Sequence, residues 1–184
     1  MSYSREYRYT PREWVSLALD DLSAASFLAA AGQKDFMARA ILFHCALCAE
    51  KLLKGVCTAV KEEVLPTHSL KNSAQKIHYH YTLGQGTRNA IDNLEQYAIS
   101  ARYDAVLRPS SRMVDLALEN MRVICRSMNS KLKNLEFDTI EQVWRRSHPD
   151  VPKAIEYMLS GENPEKLVRM LSSKTSPEPR TRTF

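Results

Sequence analysis

An arginine and a histidine in one apolar helix-forming run are the residues best suited to phosphate chemistry. Arg39 and His44 are separated by four residues in the run R-A-I-L-F-H-C-A-L-C-A-E-K-L-L-K-G. An arginine can bind two phosphate oxygens at once through bidentate hydrogen bonds. A histidine can exchange protons with a 2′-hydroxyl or a leaving oxygen near neutral pH. The pair could therefore act on a phosphate ester, with Arg39 as clamp and His44 as acid and base. The alternative is structural, with Arg39 paired to a surface carboxylate and His44 packed at an interface. Positions five apart on a helix diverge by about 140°, so cooperation needs a bend or a second protomer.

A second set of groups could bind a nucleotide phosphate without reacting. Lys51 follows His44 by seven residues, so both lie on one side of a helix, with Lys54 close by. The predicted phosphate-binding residues are Lys51, Lys54, His68, Arg102 and Tyr103. The alternative is structural: the lysines extend to solvent from a half-buried helix, His68 hydrogen-bonds a loop, and Arg102 pairs with a carboxylate or a carbonyl.

Four short motifs follow one another in a definite order. They are Phe43-His44, Glu50-Lys51-x-x-Lys54, Pro66-Thr67-His68-Ser69-Leu70 and Ala101-Arg102-Tyr103. Their order and spacing resemble the HEPN domain over residues 10–134. The resemblance implies an all-helical domain tied to nucleotide and RNA chemistry.

The resemblance leaves three functions open. The first is a nucleotide- or RNA-associated binding module that pairs with a separately encoded small nucleotidyltransferase, in a regulatory or toxin–antitoxin-like system. The second is an RNA-cleaving toxin that uses Arg39 and His44, and the third is a dimeric interaction scaffold without a ligand. Ala46 and Leu47 stand where many relatives carry glutamine. These apolar residues favour the first and third functions, so a non-catalytic role is the main prediction.

Composition, cysteine placement and net charge limit the classes of protein to which this chain can belong. The chain has 184 residues, 44% of them hydrophobic, with few glycines and prolines, so it can build a helical core. We find no signal peptide and no membrane-spanning run, and the four cysteines lie in apolar patterns typical of reduced thiols, so we expect a cytoplasmic protein. Cys45-x-x-Cys48 lies on an apolar face without a second pair, so we expect no metal and no cofactor. The net charge of +5 permits contact with phosphates without requiring it.

Hydrophobic periodicity and capping residues predict five helices in residues 1–134. Thr10 and Glu13 form a capping box before the first helix, which Gly32 ends. The predicted caps of the second to fifth helices are Asp35, Thr67, Thr87 and the Pro109-Ser110-Ser111 segment. The predicted fold is therefore all-α, an antiparallel bundle of four or five helices.

The pattern of the sequence changes after Leu135, from long predicted helices to short ones. A capping box at Asp138 and Glu141 predicts a short helix over 139–147, and prolines delimit two more over 152–160 and 165–172. We expect residues 135–172 to pack on the bundle as an extension, and residues 173–184 to be disordered. His78 and His80 fall in a stretch predicted to be strand-like or irregular.

A homodimer is the predicted assembly. Bulky Phe43 and Leu47 interrupt the polar side of the second helix, and a second copy of the chain would cover them. No membrane partner is expected.

Overall fold

Six α-helices form the part of the chain that the computed structural model describes, which is residues 9–30, 34–64, 66–103 and 108–147. They are α1 (Pro11–Ala30), α2 (Lys34–Ala59), α3 (Leu70–His80), α4 (Gln85–Tyr103), α5 (Ser111–Asn134) and α6 (Ile140–Ser147). No strand occurs in those ranges. The all-α prediction is therefore confirmed. Within the same ranges, no helix combines the length and apolar character needed to cross a membrane.

Two helix starts follow the sequence prediction. At α1, the Thr10 backbone N–H donates to Glu13 Oε2 at 2.7 Å, and the Glu13 N–H donates to Thr10 Oγ1 at 3.2 Å. These hydrogen bonds lower the pKa of Glu13 below its ordinary value of 4.5. At α5, the Ser110 hydroxyl accepts from the Met113 N–H. Both caps satisfy N–H groups that have no acceptor within their own helix.

Other predicted starts were wrong by one or a few residues. Ser69, not Thr67, caps α3 by accepting from the Asn72 N–H. The described part of α2 begins at Lys34 and α4 begins at Gln85, so Asp35 and Thr87 lie inside their helices. At α3, Ser69 has the extended backbone and the free acceptor that a cap requires.

At α6 the capping box is also displaced, by one residue. The stretch around His78 and His80, predicted to be strand-like or irregular, is helical. Thr139 and Gln142 form the capping box of α6, rather than Asp138 and Glu141. His78 and His80 lie in the last turn of α3, because Ile77 on that turn is buried in the core and extends the helix. The helices predicted over 152–160 and 165–172, and the tail over 173–184, lie outside the described residues.

Helix α2 is the centre of the bundle, since it packs against α1, α3, α4 and α5. Its wide apolar face is buried, including Ile41, Leu42, Cys45, Ala49, Leu52, Leu53 and Val56. Helix α1 runs antiparallel to it: Gly55 near the end of α2 lies beside Pro11 and Trp14 at the start of α1. A Cβ atom at Gly55 would lie 3.2 Å from the Trp14 Cβ, so glycine allows this close approach.

Helix α6 packs against α1 and adds a small apolar contact to the bundle. Ile140, Val143 and Trp144 are all buried there. Arg12 of α1 and Arg146 of α6 both approach the Asp138 carboxylate, at 3.9 and 2.6 Å. The domain boundary predicted near residue 134 stays a prediction.

Candidate functional site

A buried aspartate on α1 joins two of the predicted site residues on α2. His44 Nδ1 lies 2.8 Å from Asp21 Oδ1, and Lys51 Nζ lies 2.5 Å from Asp21 Oδ2. Lys51 also donates to the Leu17 carbonyl at 3.4 Å. His44 and Lys51 can share one carboxylate because their seven-residue spacing puts them on the same side of α2. We call Asp21, His44 and Lys51 the Asp21 cluster.

The Asp21 cluster is asymmetric in its exposure to solvent. The Asp21 side chain is only 7% exposed, whereas those of His44 and Lys51 are 28% and 23% exposed. A carboxylate can only accept, so the hydrogen between Asp21 and His44 belongs to Nδ1. Nε2 has no hydrogen-bond partner among the described residues and is not buried. In the neutral imidazole, Nε2 is then the basic nitrogen, and the hydrogen bond from Nδ1 to Asp21 fixes the orientation of the ring.

A second buried carboxylate, Glu50 on α2, contacts two further predicted site residues. Glu50 lies 2.9 Å from Lys54 Nζ and 3.0 Å from His68 Nδ1, which comes from the segment before α3. The Lys54 side chain is 3% exposed and its ammonium lies 5.3 Å from the centre of the Trp14 ring. Burial of a charge is costly unless it is paired, so Glu50 and Lys54 stabilise each other. We call Glu50, Lys54 and His68 the Glu50 cluster.

Both clusters balance their charges internally. With neutral histidines, Asp21 offsets Lys51 and Glu50 offsets Lys54. A phosphate approaching the Asp21 cluster therefore meets the positioned Lys51 ammonium rather than an uncompensated positive field, and His44 adds a donor only when it is protonated. The accessible groups differ between the clusters: His44 and Lys51 are half-buried and His68 is more than half exposed, but Lys54 is enclosed.

The three remaining predicted site residues are Arg39, Arg102 and Tyr103. Arg39 is half-buried on α2, and the described contacts of Asp21 and His44 do not include it. Arg102 and Tyr103 occupy the last turn of α4, and their side chains lie outside the described residues. The catalytic pair and the phosphate-binding set therefore stay predictions, with His44 and Lys51 brought together by Asp21.

The comparison with protein families decides the identity of the domain. The HEPN domain family matches residues 11–131, from the first residue of α1 into the last turn of α5. This chain belongs to the HEPN family. Helix α6 lies beyond the HEPN match. Searches of curated proteins and of solved structures find no match for the chain.

Sequence reasoning missed Asp21, the aspartate that joins His44 and Lys51 in the candidate site. Asp21 lies four residues after Leu17 and four before Ala25, which places it beside the buried face of α1. A carboxylate at helical spacing within an apolar stripe is the signal that could have found it, because such a group needs a partner from another element. Glu50 of α2 is likewise a buried carboxylate.

The cysteines of the HEPN domain belong to its core. Cys45, Cys48 and Cys125 are buried where α2 meets α5. Burial raises the pKa of the Cys45 thiol, and a hydrogen bond with Cys125 together with burial raises that of Cys48. In Cys57, burial raises the pKa to about 12. Such thiols remain protonated at neutral pH and are poor nucleophiles.

Proposed function

We propose that this HEPN domain is a non-catalytic binding module for a nucleotide or a short stretch of RNA, with the Asp21 cluster as the contact point. The observation that carries the proposal is the arrangement around Asp21. One buried carboxylate fixes the half-exposed His44 imidazole and Lys51 ammonium side by side, at 2.8 and 2.5 Å. Lys51 is a donor to a phosphate as it stands, and His44 donates from Nε2 in its protonated form. Groups fixed in advance lose little conformational freedom when a phosphate binds.

The proposal gives different roles to the predicted phosphate-binding residues. Lys51 and His44 contact the ligand, and His68 is exposed enough to join them. Lys54 supports the site through Glu50, since its enclosed ammonium already pairs with that carboxylate. Arg102 and Tyr103 are kept as predicted contacts at the end of α4.

A metal-independent ribonuclease is the second candidate, favoured by the Asp21–His44 pair. A carboxylate on Nδ1 fixes the tautomer in which Nε2 can accept a proton, as in other aspartate–histidine pairs. His44 would take the proton of a 2′-hydroxyl, and Arg39 would hold the phosphate. Because positions five apart on a helix point about 140° away from each other, this mechanism needs a bend in α2 or Arg39 from a second copy of the chain.

Assembly is part of the same proposal. We propose a homodimer that covers an apolar stripe on α2 formed by Phe36, Phe43 and Leu47. Phe36 is 81% exposed, and Phe43 and Leu47 are half-buried. Residues at this spacing share one helix face. A separately encoded nucleotidyltransferase is the proposed protein partner, in a regulatory or toxin–antitoxin-like system, and a ligand-free dimeric scaffold is the remaining alternative.

Thermal shift with a nucleotide panel and a short single-stranded RNA tests the binding proposal. A ligand present at about 100 times its Kd adds about 2.7 kcal/mol to the free energy of unfolding. We expect Lys51→Met to weaken binding and the matched exposed control Lys133→Met to leave it unchanged. Circular dichroism verifies that both variants are folded. No shift with any nucleotide or RNA would reject the binding module and leave the scaffold.

An RNA cleavage assay separates the two main candidates. The binding module predicts no metal-independent cleavage by the purified chain. Cleavage that disappears in folded His44→Gln would establish the ribonuclease instead. Light scattering after size exclusion tests the dimer: Phe43→Asp should give a monomer, whereas Tyr79→Asp, a change at an exposed aromatic on α3, should not.

A further inference from the structure

A cavity of about 310 Å³ opens between α3 and α4. Its floor is apolar and consists of Ala74, Leu83 and Ile91, each of which is at most 8% exposed. The volume is at the lower end of the range for small-molecule sites, about 300–1,000 Å³. The cavity is separate from the Asp21 cluster, because its walls come from α3, α4 and their connection, whereas Asp21 lies on α1.

Hydrogen bonds hold α3 and α4 together at one end of this cavity. Glu95 of α4 accepts from the Ser69 hydroxyl at 2.8 Å and from the Leu70 N–H at 2.6 Å. It also accepts from the Lys71 N–H at 3.3 Å. A carboxylate in this position satisfies the first N–H groups of α3 and interacts favourably with the positive end of its dipole.

A second set of bonds fixes the other end, around Leu83. The Arg88 guanidinium donates to the Leu83 carbonyl at 2.6 Å and to Gln85 at 2.7 Å. The Leu83 N–H donates to His78 Nδ1 at 3.2 Å. The two helices are thus pinned on both sides of a gap, and the small Ala74 leaves the gap unfilled. The cavity therefore exists before any ligand arrives.

The rim of the cavity has more donors than acceptors. Because the Leu83 N–H occupies His78 Nδ1, the hydrogen of the neutral imidazole is on Nε2, which is then a donor. Lys71 and Arg88 each add a positive charge, and Asp92 is the one carboxylate among the lining residues. Lys71 pairs with Asp92 at 3.2 Å, but both side chains are more than half exposed. An exposed pair of this kind contributes about 0–1 kcal/mol, so Lys71 can exchange partners at low cost.

We propose that this cavity binds a small amphipathic carboxylate, with its apolar body on Ala74, Leu83 and Ile91 and its carboxylate at Lys71 and Arg88. The apolar floor suits the apolar body of such a ligand, and the excess of donors at the rim suits its negatively charged carboxylate. The site is independent of the nucleotide or RNA contact proposed at the Asp21 cluster. It would give the domain a second, non-nucleotide ligand.

Methyl-resolved NMR titration with hexanoate tests the proposal on the full chain. We expect saturable shifts of the Ile91 and Leu83 methyl signals, while the Ile41 methyl on the buried face of α2 stays unchanged. Hexanol should bind more weakly and hexylamine weakest, because Lys71 and Arg88 attract the carboxylate and repel the ammonium. Equal binding of the three probes, or no movement of Ile91, would overturn the proposal.

Two kinds of variant locate the ligand. Lys71→Gln should weaken hexanoate binding about two- to fivefold, as expected for loss of one solvent-exposed charge contact. Arg88→Gln also removes the hydrogen bonds to Leu83 and Gln85, so it should weaken binding at least as much. Ala74→Leu should abolish binding by filling the cavity, with circular dichroism as the check on folding. Lys133→Gln is the control and should bind as the unmodified chain does. Undiminished binding by folded Ala74→Leu, or by both charge variants, would refute the site.

Discussion

Replacing Asp21 with asparagine removes the charge that His44 and Lys51 share and nearly preserves the shape of the side chain. A hydrogen bond to a charged group contributes about 1.5–3 kcal/mol, and loss of one partner of a fully buried ion pair costs about 3–5 kcal/mol. Lys51 and His44 are 23% and 28% exposed, so water can replace part of what they lose. We therefore expect Asp21→Asn to lower the free energy of unfolding by about 2–3 kcal/mol.

Urea denaturation followed by circular dichroism measures this loss. For a chain of 150–250 residues, 2–3 kcal/mol corresponds to a Tm lower by about 4–12 °C. The neighbouring Asp20 is exposed and is the matched control. Asp20→Asn should change stability by less than about 0.5 kcal/mol.

A double-mutant cycle assigns the effect to the ion pair. If the Asp21–Lys51 contact carries part of the loss, Asp21→Asn and Lys51→Met together should cost about 1–2 kcal/mol less than the sum of their separate costs. Additive costs would show that the two side chains do not interact. A loss in Asp21→Asn no greater than in Asp20→Asn would refute the reasoning about the whole cluster.

The remaining predictions concern backbone, packing, thiols and titration. Lys61 has φ 61°, so Lys61→Gly should stabilise the protein by about 0.5–1 kcal/mol in urea denaturation, and an unchanged or lower stability would contradict the expected strain at this residue. Gly55→Val should cost at least about 1–3 kcal/mol because α1 lies too close, whereas Gly86→Val, which meets open space, should cost less. Thiol reagents should modify Cys45 and Cys57 only after denaturation, because burial raises their pKa; rapid labelling of the folded chain would contradict this. The Glu13 carboxylate should titrate below 4.5 by NMR, so that the stability it provides is present above that pH and is lost as the pH falls through its lowered pKa.

The sequence by itself determined the class of fold and most of the helices. Helix formation depends on residues three or four positions apart, which is why Thr10 with Glu13 and Ser110 with Met113 could be recognised locally. The errors at Thr67 and Asp138 were small, because several adjacent polar residues could serve as caps and the backbone selects one of them. The order of short motifs likewise sufficed to recognise the HEPN domain over residues 11–131.

Only the tertiary structure decided which charges meet. Asp21 lies 23 residues from His44 and 30 from Lys51, and Glu50 lies 18 from His68. Contacts between residues so far apart in sequence depend on how α1 and the segment before α3 pack on α2. Helical periodicity within one element does not determine that packing. The sequence could place His44 and Lys51 on one side of a helix, but the aspartate facing them came from another helix. The cavity between α3 and α4 has the same origin, since hydrogen bonds at Glu95 and Leu83 hold the two helices in place on both sides of a residue as small as Ala74.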